Sequence, residues 1–210
     1  MKAHVSPNDR DVVRRLVAAF PSGDVAPSSA LRAQLAARAE REGLLDLAYR
    51  TVESPFGPLL LAASRSGLVR VAFAREGHAE VLERLASEIS SRILLAPQRL
   101  DDAARQLDEY FERRRKRFEL ALDLQLAHGF RRTVLTRLQR IAYGETTSYA
   151  QLARAAGKPA AVRAAGSACA HNPLPLVVPC HRVVRSDGTI GEYLGGSQAK
   201  RALLALEAAA

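Results

Sequence analysis

The sequence predicts an α+β protein with two domains behind a helical N-terminal extension. The first predicted domain is a small α/β unit over residues 49–125, and the second is a mainly helical unit over residues 126–210. Short β-prone runs separated by Pro/Gly turns occupy Arg50–Phe73, whereas helical periodicity dominates from His128 onward. A chain of 210 residues that is 48% hydrophobic and 25% charged is long enough for two small cores and too apolar for disorder.

Residues 1–48 are predicted to be helical. Ser6 is a candidate N-cap followed by Pro7, and an apolar stripe then extends to Phe20. A second helix is predicted from Ala30 to about Leu47, after the break "PSGDVAPSS". We find no pattern in this extension that indicates chemistry.

The α/β domain is predicted to contain a β-hairpin with "SRSG" as its loop. The predicted strands are Arg50–Glu53, Leu59–Ala63, Leu68–Phe73 and the short run "RILLAP". The predicted helices are Ala79–Ser90 and Leu100–Lys116, the second ending in the basic run "ERRRKR". We interpret that run as a solvated helix end and the following "FELALDLQL" as a link to the second domain.

Positive charge is concentrated in the second half of the chain. Residues 1–125 carry 20 Lys/Arg and 18 Asp/Glu, a net of +2, whereas residues 126–210 carry 11 and 4, a net of +7. This asymmetry suggests a polyanionic partner such as DNA or RNA, although a generally Arg-rich proteome would also produce it. No run of about 18 apolar residues predicts a membrane span, and the start lacks a secretory signal, so we expect a cytoplasmic protein.

The helical domain contains a helix-turn-helix pattern. Ser148 begins a capping box, S-x-x-Q, which predicts a short helix from Tyr149. Gly157 can end this helix, and Pro159 can open a second one that extends to about Ala170. Small residues dominate the second helix and would let it approach a partner closely, but many Ala-rich helix pairs bind nothing.

The run "LVVPCHRVV", Leu176–Val184, places Cys180 beside His181 in an apolar setting. The chain has 2 cysteines, Cys169 and Cys180, whose spacing matches no zinc pattern, and both are expected to be reduced thiols. In a plain strand the two side chains of a Cys-His pair would face opposite sides, but Pro179 argues for a distorted strand here. A nucleophile activated by histidine and an inert buried cysteine both remain open on this run alone.

A carboxylate would complete such a relay by fixing the tautomer of the histidine. The final helix, predicted to open near Ser197, carries Glu207 four residues after Leu203, which turns it toward the buried face. An ordinary exposed terminal glutamate is the alternative interpretation.

The segment "NPLPLVVPCHRVVRSDGTIGEYLGGSQAKRALLALE", Asn172–Glu207, resembles the active-site region of the O6-alkylguanine-DNA alkyltransferases of bacterial type. Pro-Cys-His-Arg between Asn-Pro and Gly-x-Tyr-x-Gly-Gly is a specific combination. The resemblance extends upstream through "YGETTSYAQLA", "AAVRAAGSACAHNP" and, more loosely, "SPFGPLLLA". It covers about Tyr49 to Glu207, leaves the extension without a counterpart, and implies that the first domain is ribonuclease H-like.

The resemblance implies irreversible transfer of an alkyl group from O6-alkylguanine in duplex DNA to Cys180. O4-alkylthymine is a second candidate substrate. His181 would deprotonate the thiol through a water, with Glu207 orienting His181. Asn172 would hold the turn before the active site, and Tyr149 would donate a proton to purine N3.

The resemblance also implies which groups contact the substrate. The carbonyls of Cys180 and Val183 would accept from the guanine amine, and Tyr193, Gly195 and Gly196 would wall the base. These inferred roles include no metal and no cofactor.

The DNA contacts implied by the resemblance lie on the second helix of the pair. Arg163 would enter the stack after base flipping, and Tyr149, Ala164 and Ser167 would lie at the DNA surface. The implied partner is double-stranded DNA containing O6-alkylguanine, bound by a monomer, with cooperativity left open.

Some features depart from the family pattern or are absent. Glu192 adds a negative charge to the active-site loop and could alter adduct preference or DNA affinity. The multi-cysteine zinc domain of the adaptive-response regulators has no counterpart, and Cys169 is expected to be a packing residue. Two alternatives stay open on sequence: a DNA-binding regulator or alkylation sensor that uses the helix-turn-helix, and a cysteine hydrolase. The hydrolase explains neither Arg163 nor the charge asymmetry.

Overall fold

The computed structural model describes residues 29–208. The predicted helix from Ser6 to Phe20 therefore lies outside the described residues. The chain divides into a unit of residues 1–32 and a compact unit of residues 33–210, and the sheet and site below lie in the second. No described helix is both long and apolar enough to cross a membrane.

The first half is an α/β arrangement around a four-stranded sheet, in the order β3-β2-β1-β4. β1 pairs antiparallel with β2 and parallel with β4, and β2 pairs antiparallel with β3. The elements of this half are α1 (Ser29–Arg41), β1 (Leu47–Val52), β2 (Leu59–Ser64), β3 (Gly67–Phe73), α2 (His78–Glu88), β4 (Ile93–Leu95) and α3 (Asp101–Phe111). The predicted hairpin is present, with Ser64 paired to Gly67 across its loop.

Both faces of the sheet are buried, because helices cover each side. Successive side chains of β2 point to opposite faces of the sheet. On one face, Leu60 packs with Val81 and Leu85 of α2. Leu59 and Leu61 face the larger core, which also contains α3 and the second half of the chain. The two halves therefore share one apolar core within the compact unit.

The second half is mainly helical, as its periodicity predicts. Its elements are α4 (Gly129–Leu138), β5 (Thr147–Ser148), α5 (Tyr149–Ala155), α6 (Val162–Ala170), β6 (Val183–Val184) and α7 (Gly196–Ala208). β5 and β6 form a short parallel pair, which joins the start of the helix pair to the segment after Cys180. Helices α5 and α6 form the predicted helix-turn-helix.

Helices α1 and α3 end earlier than the sequence predicts. α1 ends at Arg41, not near Leu47, because Gly43 takes a left-handed conformation with φ 66° and β1 begins soon after. α3 ends at Phe111, not at Lys116, because Arg113 has φ 61° and leaves the helix. The run "ERRRKR" is consequently a loop.

Helices α4 and α6 also differ from the predicted bounds. α4 ends at Leu138, not near Tyr143, because the following turns bring Ile141 and Gly144 into hydrogen bonds with Arg182 and Glu207. α6 begins at Val162, since Pro159 lies in the turn between the helices and does not open the second one.

Candidate active site

The cysteine lies in a tight turn and not in a strand. Cys180–Arg182 form one turn of 3-10 helix after Pro179, and the N–H of Val183 donates to the carbonyl of Cys180. A 3-10 turn has about three residues per turn, so consecutive side chains diverge by about 120° instead of alternating. Leu176–Val184 is therefore not a plain strand, in keeping with the distortion expected at Pro179. The turn removes the obstacle that a strand would place between Cys180 and His181.

Asn172 holds the chain on both sides of the cysteine. Its Nδ2 donates to the carbonyl oxygen of Val178 at 2.8 Å and to the Sγ of Cys180 at 3.2 Å. Its Oδ1 accepts from the N–H of Leu174 at 3.0 Å. Asn172 and Cys180 are both buried, so the amide fixes the thiol in a position away from solvent.

Burial raises the pKa of the Cys180 thiol above its ordinary value, since a thiolate is poorly solvated there. The hydrogen bond from Asn172 and the positive charge of Lys200 oppose that increase. The thiol is consequently protonated at rest and needs a base before it can act as a nucleophile.

The His181 imidazole is held in one orientation by Glu207. Its Nε2 lies 2.9 Å from the Oε1 of Glu207, and an ionised carboxylate can only accept, so Nε2 carries the proton. Nδ1 then holds the lone pair, and it is buried with no hydrogen-bond partner among the described residues. Burial lowers the pKa of His181 below its usual value, against the opposing effect of Glu207, which favours the neutral imidazole.

Glu207 lies at the centre of a buried hydrogen-bond network. Its carboxylate accepts from Arg182, whose Nε lies 2.9 Å from Oε2 and whose second terminal nitrogen lies 2.8 Å from Oε1. The Tyr110 hydroxyl donates to Oε1 at 2.6 Å, and the N–H of Gly144 donates to Oε2 at 3.2 Å. Burial alone would raise the pKa of Glu207, but the donors, led by His181 and Arg182, hold it well below its usual range.

Tyr149 begins α5 and packs against the loop that precedes α7. A Cβ built on Gly191 would lie 2.6 Å from the Tyr149 hydroxyl, so this approach requires glycine. The ring lies 5.9 Å from the Nζ of Lys200, which in turn donates to the carbonyl of Val183 at 2.6 Å. Burial, followed by nearby Cys169 and Cys180, raises the pKa of Tyr149 to about 12, which keeps the hydroxyl protonated as a donor.

The loop before α7 is fixed by the α/β half. The Tyr193 ring packs edge-on against Phe73, with centroids 5.6 Å apart, and against His181 at 6.1 Å. A Cβ on Gly195 would lie 2.8 Å from the Phe73 ring. Gly195 therefore has no room for a side chain, whereas Gly196, which lies against the Arg75 guanidinium, is favoured by its φ of 89°.

The helix pair presents a small, basic surface. Ser148 caps α5 as predicted, accepting from the Gln151 N–H at 3.1 Å. On α6, Arg163, Ala164 and Ser167 are exposed, whereas Ala165, Ala168 and Cys169 are buried. Arg163 forms no ion pair with any residue in the described part of the chain. Its guanidinium is therefore available to a partner.

The structure brings most of the predicted site residues together. Asn172 contacts Cys180, and His181 contacts Glu207, while Tyr149 reaches the same region through Lys200. No described contact joins Arg163 to these groups, and Glu192 is exposed.

Three residues that contact the site were not predicted from the sequence. Lys200 is buried three residues before Leu203, and the helical spacing that placed Glu207 on the buried face also marks Lys200. The sequence places Arg182 two residues after Cys180 but does not indicate its ion pair with Glu207. Tyr110 lies on an ordinary apolar stripe of α3, so no sequence signal distinguishes it from a core residue.

Two family descriptions match the chain in succession. Residues 47–124 match the ribonuclease-like domain of 6-O-methylguanine DNA methyltransferase. Residues 129–209 match the DNA binding domain of the same family.

Named relatives and solved structures agree with this match. Methylated-DNA–protein-cysteine methyltransferase of Mycobacterium bovis is 39% identical over 159 residues, which cover 76% of this chain and 91% of the relative. The constitutive enzyme of that name from Bacillus subtilis is 36% identical over 156 residues, 74% of this chain and 92% of its own. The crystal structure of Mycobacterium tuberculosis OGT in complex with DNA is 37% identical, with a TM-score of 0.68, covering 77% and 93% of the respective chains. This chain belongs to the 6-O-methylguanine DNA methyltransferase family.

Proposed function

We propose that this protein repairs DNA by direct reversal, transferring the alkyl group of O6-alkylguanine in duplex DNA to Cys180. The observation that carries the proposal is the buried Cys180–His181 turn, in which Glu207 holds the Nε2 proton and leaves Nδ1 basic. Family membership supplies the reaction class, and the helix-turn-helix supplies a surface for DNA.

The first step is removal of the thiol proton. Nδ1 of His181 accepts it through a bridging water, and Glu207 stabilises the imidazolium that forms. The Asn172 amide donates to the sulfur at 3.2 Å, and such a bond favours the thiolate over the thiol. The buried setting keeps the nucleophile away from bulk water, where it would be solvated and less reactive.

The second step is an in-line displacement at the alkyl carbon. The new S–C bond forms as the C–O6 bond breaks, and the electron pair of that bond passes to O6 and the purine ring. Tyr149 donates its proton to N3, so guanine leaves as a neutral base. The proton that His181 took from the thiol then restores the hydroxyl of the Tyr149 phenolate. The thioether on Cys180 is not reversed, and each molecule therefore acts once.

The pocket for the base is formed by backbone and ring atoms. The carbonyl of Cys180 accepts from Val183 N–H and that of Val183 accepts from Lys200, so each keeps one lone pair for the guanine amine. Tyr193, Gly195 and Gly196 wall the base, and the Tyr193 ring is held by its packing against Phe73.

Access to the target atom requires the nucleotide to leave the stack, which costs a few kcal/mol. Helix α6 enters the minor groove with its exposed Ala164 and Ser167, and Arg163 fills the gap left by the flipped base. Tyr149 lies close to the same surface. We place the reaction in the cytoplasm, where thiols are kept reduced.

The test is incubation with duplex DNA carrying one O6-methylguanine, followed by intact mass measurement and peptide mapping. We expect a gain of one methyl group on Cys180, lost in Cys180→Ser and retained in Cys169→Ser, which changes the other cysteine. Absence of transfer together with tight DNA binding would contradict repair and favour a DNA-binding regulator.

A further inference from the structure

Tyr110 lies in the α/β half of the chain and contacts the His181–Glu207 pair of the helical half. It is fully buried on α3 of the ribonuclease-like domain, and its hydroxyl donates to Oε1 of Glu207 at 2.6 Å. The same oxygen lies 2.9 Å from Nε2 of His181, and the tyrosine oxygen lies 3.5 Å from that nitrogen. The roles proposed above make no use of this hydroxyl.

We propose that Tyr110 is a positioning residue for alkyl transfer, acting through Glu207 to set the orientation and the basicity of His181. This inference rests on the proposed function. It assigns to the ribonuclease-like domain a direct part in the chemistry of a cysteine that belongs to the other domain.

The hydroxyl is not needed for packing. The Tyr110 ring already packs against Phe111, Phe118 and Tyr143, with centroids 5.2 to 6.0 Å apart, and phenylalanine would keep these ring contacts. Burial, followed by the charge of Glu207, raises the pKa of Tyr110 far above its usual value, so the hydroxyl remains a donor. Its one proton is directed to the carboxylate.

A donor on Oε1 has two effects on His181. It restrains the rotation of the Glu207 carboxyl group, and that group in turn aligns the imidazole. It also withdraws negative charge from the oxygen that holds the Nε2 proton, which weakens the stabilisation of the imidazolium. A less stabilised imidazolium keeps His181 neutral, and therefore able to accept the thiol proton, at lower pH.

Other contacts from the α/β half reach the site but not this relay. Phe73 and Arg75 lie against the loop before α7, and Arg70 donates to the carbonyl of Pro173 at 3.3 Å. These contacts position backbone and ring atoms. Tyr110 differs because its polar atom bonds the same carboxylate oxygen as His181.

The titratable groups that face His181 come from several elements. Its pH response depends on the charged and titratable side chains around it: Glu207 and Lys200 of α7, Arg182 and Cys180 of the turn, Tyr110 of α3 and Tyr193 of the loop. A variant that removes the Tyr110 hydroxyl leaves every other group in place, so its effect on the pH profile reports that hydroxyl.

The experiment compares Tyr110→Phe with Tyr143→Phe in single-turnover transfer from O6-methylguanine duplex, between pH 5 and pH 9. Tyr143 is a matched control, since its hydroxyl donates to the Leu206 carbonyl at 3.4 Å and not to Glu207. We expect Tyr110→Phe to slow transfer about tenfold at neutral pH. We also expect the acid limb of its pH–rate profile, where the rate falls as His181 is protonated, to move up by about one pH unit. Tyr143→Phe is expected to keep the wild-type limb.

A second substitution tests the same bond in the opposite direction. 3-Fluorotyrosine at position 110 has a more acidic hydroxyl, donates more strongly to Glu207, and is expected to move the acid limb down. A limb that stays at the wild-type pH in both variants, with or without lower stability, would overturn the inference and leave Tyr110 a packing residue. Failure of the wild-type protein to methylate Cys180 would instead contradict the proposed function itself.

Discussion

Arg182 and Glu207 form a buried bidentate ion pair that ties the cysteine turn to the last helix. Nε of Arg182 lies 2.9 Å from Oε2, and its second terminal nitrogen lies 2.8 Å from Oε1. The first terminal nitrogen donates to the Ile141 carbonyl at 2.6 Å, so the guanidinium also fixes the segment after α4. The residue after the proposed base thus secures the carboxylate that orients that base.

Removing the arginine should leave Glu207 with an uncompensated buried charge. We expect Arg182→Met to lower the free energy of unfolding by about 3–5 kcal/mol, the usual cost of breaking a buried ion pair. Glu207→Gln removes the charge, so the double variant should lose less than the sum of the two single losses. Urea unfolding at pH 7 measures this cycle, and strictly additive losses would show that the pair is not coupled.

Local signals in the sequence were sufficient for the elements whose bonds are local. The capping box at Ser148 predicts the start of α5, because both of its hydrogen bonds lie within Ser148–Gln151. The ends of α3 and α4 were placed too late. The chain after α4 leaves the helix where Ile141 and Gly144 bond to Arg182 and Glu207, and no window of neighbouring residues contains that information.

The same distinction applies to the site. Residue type and spacing made Cys180, His181 and Glu207 candidates but left an inert cysteine and an exposed glutamate open. The resemblance to the alkyltransferases then implied their roles. Tyr110 could not be proposed, since a tyrosine on the apolar stripe of α3 is ordinary in a core, and its partner lies 97 residues away.

The stability of the protein should depend on pH through the buried groups His181 and Glu207. Burial lowers the pKa of His181 in the folded protein below the ordinary value of 6.5. Its contribution to the free energy of unfolding is therefore full above pH 6.5, and it is lost at lower pH because the unfolded chain then binds a proton that the folded protein does not. Glu207, whose pKa is also lowered, contributes fully above pH 4.5 and loses stability as the pH falls further. We expect the free energy of unfolding to decline below pH 6.5, by at most about 1.4 kcal/mol per pH unit for His181.

Urea unfolding between pH 5 and pH 8 measures this decline. His181→Asn should remove the part of it that begins near pH 6.5, and the exposed His171→Asn should retain it. An unchanged decline in His181→Asn would mean that the buried imidazole is not the group responsible.

Gly191 should be required for activity because of its distance from Tyr149. A Cβ at Gly191 would lie 2.6 Å from the Tyr149 hydroxyl, so Gly191→Ala must displace the proposed proton donor or the loop. Displacements of about 1 Å in an active site can slow a reaction about 100-fold, and we expect transfer to fall about 10–100-fold. Gly166→Ala is the matched control, since its Cβ would meet the same ring at 3.8 Å, an ordinary contact. Single-turnover rates that fall equally in both variants would contradict this explanation.

Arg163 should affect extrusion of the base and not the chemical step. It is exposed on α6 and has no ion pair among the described residues, so Arg163→Ala is expected to leave the Cys180 relay unchanged. Transfer from duplex O6-methylguanine should fall about tenfold or more, because the variant loses the group that offsets the few kcal/mol of unstacking. Transfer from free O6-benzylguanine, which needs no extrusion, should fall much less.

The comparison uses Arg154→Ala, which removes an exposed arginine from α5, to correct for the loss of one positive charge near DNA. Both substrates are measured for both variants at one salt concentration. Equal losses on duplex and free base in Arg163→Ala would place its role in the chemical step or in folding. A loss confined to the duplex, and larger than that of Arg154→Ala, is what insertion into the stack requires.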